Sequence, residues 1–140
     1  MDPFEELLNN LSQQLGTPLA PDSHSSCLLS FDRGVKLQLE LDKTGEYLII
    51  GSFLGEVLPG KYREQLLIEA LKSNHLRQGG IFAFSLRKNG LVLFHKQLFA
   101  SVEITALFAL IQRLVERATL WQEAIKGQEM PHEQLYPSTT

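Results

Sequence analysis

The chain has 140 residues, of which 44% are hydrophobic and 21% are charged, and its formal net charge is −3. This length and composition are typical of one globular domain and leave no room for a second independent one. Acidic and basic residues are interspersed, so the chain has no basic stripe that would neutralise a nucleic-acid backbone. A single cysteine excludes an internal disulfide, and no apolar run approaches the roughly 20 residues of a membrane span. We therefore expect a cytoplasmic protein that binds neither nucleic acid nor membranes.

An amphipathic helix is predicted at the N-terminus. Asp2 followed by Pro3 is typical of a helix start, because the Asp side chain accepts hydrogen bonds from free amides and Pro suits the first helical position. Apolar residues then recur at spacings of three and four until Gly16, which suits a left-handed C-cap. The apolar stripe consists of Phe4, Leu7, Leu8, Leu11 and Leu15. Most of this stripe should face the core, and we interpret Phe4 and Leu8 as lying at its rim.

Three strands joined by short turns follow an irregular connector. They are predicted at residues 26–32, 35–41 and 46–54 and form an antiparallel meander. In the second strand every other residue is apolar, so Leu37 and Leu39 share one face. This alternation does not tell which face is covered by the protein's own helices.

A second helix and a β-hairpin come next. The helix is predicted over residues 62–75, with an apolar face formed by Leu66, Leu67, Ala70 and Leu71. Two apolar runs, at residues 81–86 and 91–96, flank Asn89-Gly90, which favours a hairpin because both residues tolerate a positive φ.

The chain ends in a third helix and a polar tail. The helix is predicted to begin at the N-cap Ser101 and to run to about Lys126, with Gly127 as its terminator. Residues 128–140 contain two prolines and few apolar side chains, so we expect a flexible tail that is dispensable for folding. The domain then covers residues 1–127. Its order of helix, three strands, helix, two strands and helix is an α+β fold.

Strands three to five carry large apolar residues on both faces of the predicted sheet. In the third strand, for example, Ile49 and Phe53 alternate with Ile50 and Leu54. Three helices are enough to cover one face of a five-stranded sheet, and the other face would normally be polar and meet water. We therefore expect something outside the chain to cover the second face.

Motifs for catalysis or cofactor binding are weak. Residues 55–61 have the spacing of a phosphate-binding loop, but Tyr62 stands where a Ser or Thr would hold Mg²⁺. The four histidines are scattered without a second ligand at metal-binding spacing, and no nucleophile-elbow sequence occurs. Cys27 lies on an apolar strand face and is interpreted as a core residue. We expect no enzyme activity, no cofactor and no metal site.

A series of short segments follows the order and spacing of a known protein family. The segments are Leu15-Gly16, residues 28–32, Leu37-Gln38-Leu39-Glu40, residues 55–60, residues 67–74, Gly79-Gly80, Leu91-Val92-Leu93 and Trp121. With these segments the chain resembles the class I type III secretion chaperones, the family of the Tir chaperone CesT and its relative SycE. The resemblance covers roughly residues 4–125 and depends on the whole pattern rather than on one motif.

The resemblance implies a homodimer that binds the N-terminal segment of a secreted effector in the bacterial cytosol. Such a chaperone keeps the segment extended, prevents its aggregation and delivers it to the secretion apparatus without using ATP. The middle helix would form the dimer interface through Leu66, Leu67, Ala70 and Leu71. The effector would contact apolar patches on the sheet and leading helix, for which we nominate Phe4, Leu8, Leu37, Leu39, Phe82 and Phe84. A heterodimer with a related chaperone stays open.

Two other function classes also stay open. The first is an adaptor of similar fold whose cytosolic partner has no role in secretion. The second is a small enzyme or ligand-binding domain with an unrecognised pocket. A buried polar pocket would favour the second class, whereas a plain apolar groove would not.

Overall fold

The computed structural model describes residues 2–22, 25–76 and 79–133. Within these residues the elements follow the predicted order, which confirms the α+β fold. They are α1 (Pro3–Leu15), β1 (Ser26–Ser30), β2 (Lys36–Leu41), β3 (Tyr47–Glu56), α2 (Lys61–Leu76), β4 (Ile81–Ser85), β5 (Gly90–Leu98) and α3 (Ile104–Gly127). Short 3₁₀ turns at Asp32–Gly34 and Phe99–Ser101 precede β2 and α3.

The five strands form one antiparallel sheet in the order β1-β2-β3-β5-β4, so β1 and β4 are its edges. The register fixes which residues share a face. One row across the sheet consists of Leu28, Gln38, Gly51, Phe94 and Ile81. The neighbouring row, on the opposite face, contains Cys27, Leu39, Ile50 and His95.

The core lies between one face of the sheet and the helices. The largest fully buried side chains come from every helix and from the central strands. They are Trp121, Phe4, Leu8, Leu11, Leu37, Leu39, Leu48, Ile50, Leu66, Leu91, Leu93 and Ile111. Burying a side chain of this size contributes about 1.5–3 kcal/mol. The helices therefore cover the face that carries Leu37 and Leu39.

The helix ends follow the predictions in part. Asp2 caps α1, and its hydrogen bonds from backbone amides lower the pKa of its carboxyl group. Gly16 ends α1 in the left-handed conformation, with φ 71°. The predicted N-cap Ser101 is wrong, because it lies in the 3₁₀ turn and Glu103 caps α3 instead. The left-handed residue after α3 is Gln128 rather than Gly127.

Asn74 of α2 occupies the outer edge of β4. Its side-chain amide nitrogen donates to the carbonyl of Phe82 at 2.8 Å, and its oxygen accepts from the N–H of Phe82 at 2.6 Å. This pair of bonds reproduces what a neighbouring strand would make. The β4 edge is therefore closed to another strand at this position.

The first residues after α3 are attached to the domain, contrary to the expectation of a flexible tail from residue 128. The hydroxyl of Tyr62 lies 3.1 Å from the carbonyl oxygen of Ala124 and 2.8 Å from that of Glu129. Glu133 forms an ion pair with Arg117 of α3, in which both side chains are largely buried. Composition gave no sign of this, because the contacts of Glu133 with Ser73, Arg117 and Trp121 form only when the chain after α3 folds back on α2 and α3. Residues 134–140 lie outside the described part of the chain.

Candidate functional site

The sheet face opposite the helices is uncovered in the single chain. It forms a shallow groove of about 440 Å³ lined by residues of all five strands and of two turns. The groove is lined by Leu28, Gly34, Lys36, Gln38, Glu40, Ile49, Gly51, Ser52, Phe53, Ser85, Lys88 and Val92. We call this surface the open-face groove.

The open-face groove combines exposed apolar side chains with charges of both signs. Leu28 is 58% exposed and Phe53 is 37% exposed, so two large apolar side chains of the sheet meet water. The Lys88 ammonium lies 5.0 Å from the centre of the Phe53 ring. Lys36 and Glu40 add further charges along β2. Such a surface suits a peptide whose side chains alternate between apolar and polar.

Strand β1 borders the groove and has backbone groups that face away from the sheet. From the register, the N–H and C=O groups of Ser26, Leu28 and Ser30 point away from β2. Asp22 satisfies those of Ser26, because its N–H donates to the Ser26 carbonyl at 2.7 Å and its carboxylate accepts from the Ser26 N–H at 3.1 Å. Among the described residues, none hydrogen bonds the outward groups of Leu28 and Ser30. These two residues offer an edge to which an extended peptide can be added.

Five of the six nominated effector contacts lie in the core of the chain. The five are Phe4, Leu8, Leu37, Leu39 and Phe82, and each is at most 4% exposed. The sixth, Phe84, is half-buried, and the guanidinium of Arg63 lies 4.2 Å from the centre of its ring. We therefore correct the surface interpretation of the five: Phe4 and Leu8 lie on the side of α1 that packs into the core, and the helices cover the sheet face that carries Leu37, Leu39 and Phe82.

Apolar residues on the open face of the sheet alternate with buried ones in β1 and β3. Leu28 and Phe53, which are exposed, and Ile49, which is partly buried, occupy the opposite parity to the buried residues of these strands. The sequence signal for them was the apolar character of both faces. It indicated that something outside the chain covers the second face, but it did not tell which of the two faces the protein's own helices cover.

Helix α2 presents a second apolar surface. Of the four nominated dimer contacts, Leu66 and Ala70 are buried in the chain's own core and Leu67 is partly buried. Leu71 is 70% exposed and Ile68, which was not nominated, is 53% exposed. We call the pair Ile68 and Leu71 the α2 ridge. At helical spacing they lie opposite the buried stripe, so another molecule can reach them.

A further shallow cavity lies on the helical side, between the end of α1 and α3. Its volume is about 350 Å³, and Leu15, Phe31, Phe108, Ile111 and Val115 supply the apolar part of its lining. Gln14, Gln112 and Glu116 complete the lining. This cavity is the main alternative to the open-face groove as a contact surface for a partner.

Chemically reactive groups are few in the part of the chain that the structure describes. Cys27 is 6% exposed, and burial raises the pKa of its thiol, which keeps it protonated at neutral pH. The described residues contain no group of three or more His, Cys, Asp or Glu side chains that could hold a metal ion. Among the same residues, no helix is long and apolar enough to cross a membrane.

Comparison with known proteins agrees with this geometry. Residues 6–122 match the Tir chaperone protein (CesT) family. The chain belongs to this family. Membership confirms the resemblance found in the sequence, although comparison with curated protein sequences found no match.

Several solved structures have a similar fold. A chain of the HopA1–SchA chaperone–effector complex is 23% identical, with a TM-score of 0.71 over 86% of this chain and 94% of that chain. A chain of the ExsC–ExsE complex is 24% identical, with a TM-score of 0.71 over 89% and 97%. A chain of the heterodimeric ExoU–SpcU complex from the type III secretion system of Pseudomonas aeruginosa is 20% identical, with a TM-score of 0.66 over 86% and 98%. All three confirm the fold.

Proposed function

We propose that this protein is a cytoplasmic chaperone that binds the N-terminal segment of a type III secreted effector. It keeps that segment extended, prevents its aggregation and holds it ready for the secretion apparatus. Membership of the CesT family supports the chaperone role, and the HopA1–SchA structure is a chaperone–effector complex of similar fold. The observation that carries the proposal is an uncovered sheet face with two exposed apolar side chains, Leu28 and Phe53, beside an unpaired stretch of β1.

The effector segment binds by adding a strand to β1. Its backbone exchanges hydrogen bonds with the outward groups of Leu28 and Ser30, and alternate side chains turn towards the open-face groove. Leu28, Ile49 and Phe53 then lose contact with water, which stabilises the complex by about 25 cal/mol per Å² of apolar area. Strand addition needs free backbone groups on both β1 and the effector segment. Because only an extended segment has its backbone groups free, the chaperone selects such a segment. None of these steps requires ATP.

The chaperone acts as a homodimer that associates through the α2 ridge. A two-fold axis near Leu71 would bring this residue and Ile68 against the same pair on the second copy. Stable interfaces bury about 800 Å² per partner, so residues that flank the ridge, such as Leu67, also contribute. A heterodimer with a related chaperone uses the same surface and would be recognised by the mass of the partner.

Affinity capture of the tagged full-length protein from its own bacterium tests the proposed function. We expect a secreted protein to co-purify, and deletion of that protein's N-terminal segment should abolish the binding. The tagged Phe53→Asp variant, used as bait in parallel, should retain much less of the secreted protein, because the complex would bury the new charge. A captured protein that stays in the cytosol and binds through a folded domain would contradict the proposal and favour an adaptor.

A further inference from the structure

The Glu133 carboxylate lies largely out of water where α2, α3 and the residues after α3 meet. One oxygen of Glu133, Oε1, accepts hydrogen bonds from Ser73 Oγ at 2.9 Å, from Arg117 Nη2 at 3.2 Å and from the indole N–H of Trp121. The other oxygen, Oε2, accepts from Arg117 Nε at 3.0 Å. The three donor residues are themselves buried, with exposed fractions of 7% for Ser73, 9% for Arg117 and 1% for Trp121. A charged, a hydroxyl and an indole donor therefore converge on one carboxylate.

Arg117 is fixed in this position by further contacts. It donates to the carbonyl oxygens of Gly79 at 2.9 Å and Gly80 at 3.1 Å, and its guanidinium lies 4.7 Å from the centre of the Phe82 ring. These contacts come from the loop before β4 and from β4 itself, so they orient the guanidinium independently of Glu133. A buried guanidinium still needs a negative partner, since an uncompensated charge in a protein interior is strongly destabilising.

We propose that Ser73, Arg117 and Trp121 form a carboxylate-binding pocket, which the chain fills with its own Glu133. The residues between α3 and Glu133 then act as a latch that ties α2 to α3. Tyr62 supplies a second attachment of the latch, because its hydroxyl bonds the carbonyl oxygen of Glu129. The two attachments lie near the two ends of α2.

The latch also bears on the α2 ridge. Ser73 lies two residues beyond Leu71 on α2, so occupation of the pocket by Glu133 fixes the part of the helix that carries the ridge. This consequence rests on the proposed dimer. The pocket itself does not, and the experiment below measures the pocket alone.

Chemical rescue of a full-length Glu133→Ala variant tests the pocket. Alanine keeps Cβ and removes a CH₂–carboxylate group, which acetate matches in size and charge. We expect the variant to lower Tm by on the order of 10 °C, because it removes the carboxylate of a largely buried ion pair. Sodium acetate should raise Tm in a saturable way and beyond the effect of sodium chloride at equal ionic strength. The fluorescence of Trp121, the only tryptophan, should titrate with the same midpoint.

Two controls make the result decisive. Wild-type protein should show no response to acetate beyond that to chloride, because Glu133 already fills the pocket. If Glu133→Ala does not fold, Glu133→Gln decides, since it keeps the side-chain volume and loses only the charge. Glu133→Gln should lower Tm by roughly 5 °C. Glu129 has an exposed carboxylate in the same segment, and Glu129→Gln should change Tm by about 1 °C or less. Equal effects of acetate and chloride on Glu133→Ala, or equal Tm values for the two Gln variants, would overturn the proposal.

Discussion

Variants Leu28→Asp and Phe53→Asp should stay folded and dimeric but lose effector binding by more than about 2 kcal/mol, or roughly 30-fold in Kd. Both side chains are exposed in the open-face groove, so a charge there meets water in the free chaperone. In the complex the same charge would be buried against apolar effector side chains without a partner. Isothermal titration calorimetry with a peptide covering the effector's N-terminal segment measures the loss.

The same substitution on the other sheet face should act on folding instead. Leu37 is 1% exposed, and Leu37→Asp would place an unpaired carboxylate in the core. Burying this charge would cost most or all of the roughly 5–15 kcal/mol by which a domain is usually stable, so circular dichroism should report an unfolded chain. Asn10→Asp, on the exposed side of α1, is the control that should change neither folding nor binding. Wild-type affinity in both Leu28→Asp and Phe53→Asp would show that the effector binds elsewhere.

Leu71→Asp should convert the dimer to a monomer. Leu71 is 70% exposed in the single chain, so the substitution leaves the fold intact, while two carboxylates would face each other across the proposed two-fold interface. We expect the dimer to weaken by more than about 2 kcal/mol. Light scattering at micromolar concentration should give about twice 15.8 kDa for wild type and a single copy for the variant.

Gln65→Asp is the matched control for this experiment. Gln65 is also exposed on α2, but it lies beside the ridge rather than on it. It should leave the mass unchanged. A wild-type protein that is monomeric without its partner, or a Leu71→Asp protein that remains dimeric, would remove the α2 ridge from the account.

Local chemistry predicted the elements of the fold well, because their signals are short-range. The Asp2 cap, the left-handed Gly16 and the alternating run in β2 each depend on neighbouring residues, and all three occur as expected. The hairpin was predicted at Asn89-Gly90, but the turn spans residues 86–89 and β5 begins at Gly90. Asn89 takes the left-handed conformation, with φ 53°.

The candidate site was predicted less well, because it depends on long-range packing. Alternation showed that Leu37 and Leu39 share a face and that Leu28 lies on the other, but the position of α1 and α3 decides which face is buried. The same limit explains the tail. Glu133 lies in a polar segment, and its role depends on Arg117, which only the folded chain brings within hydrogen-bond distance.

Amide hydrogen exchange at Leu28 and Ser30 shows whether an extended effector segment is added to β1. In the free chaperone the outward N–H groups of these residues have no hydrogen-bond partner among the described residues, so they should exchange quickly. Residue-resolved NMR of the complex should show both amides strongly protected, while the inward amides of Cys27 and Leu29 change little. If only amides around the cavity between α1 and α3 became protected, and Leu28 and Ser30 still exchanged as in the free protein, the effector would not bind by strand addition to β1.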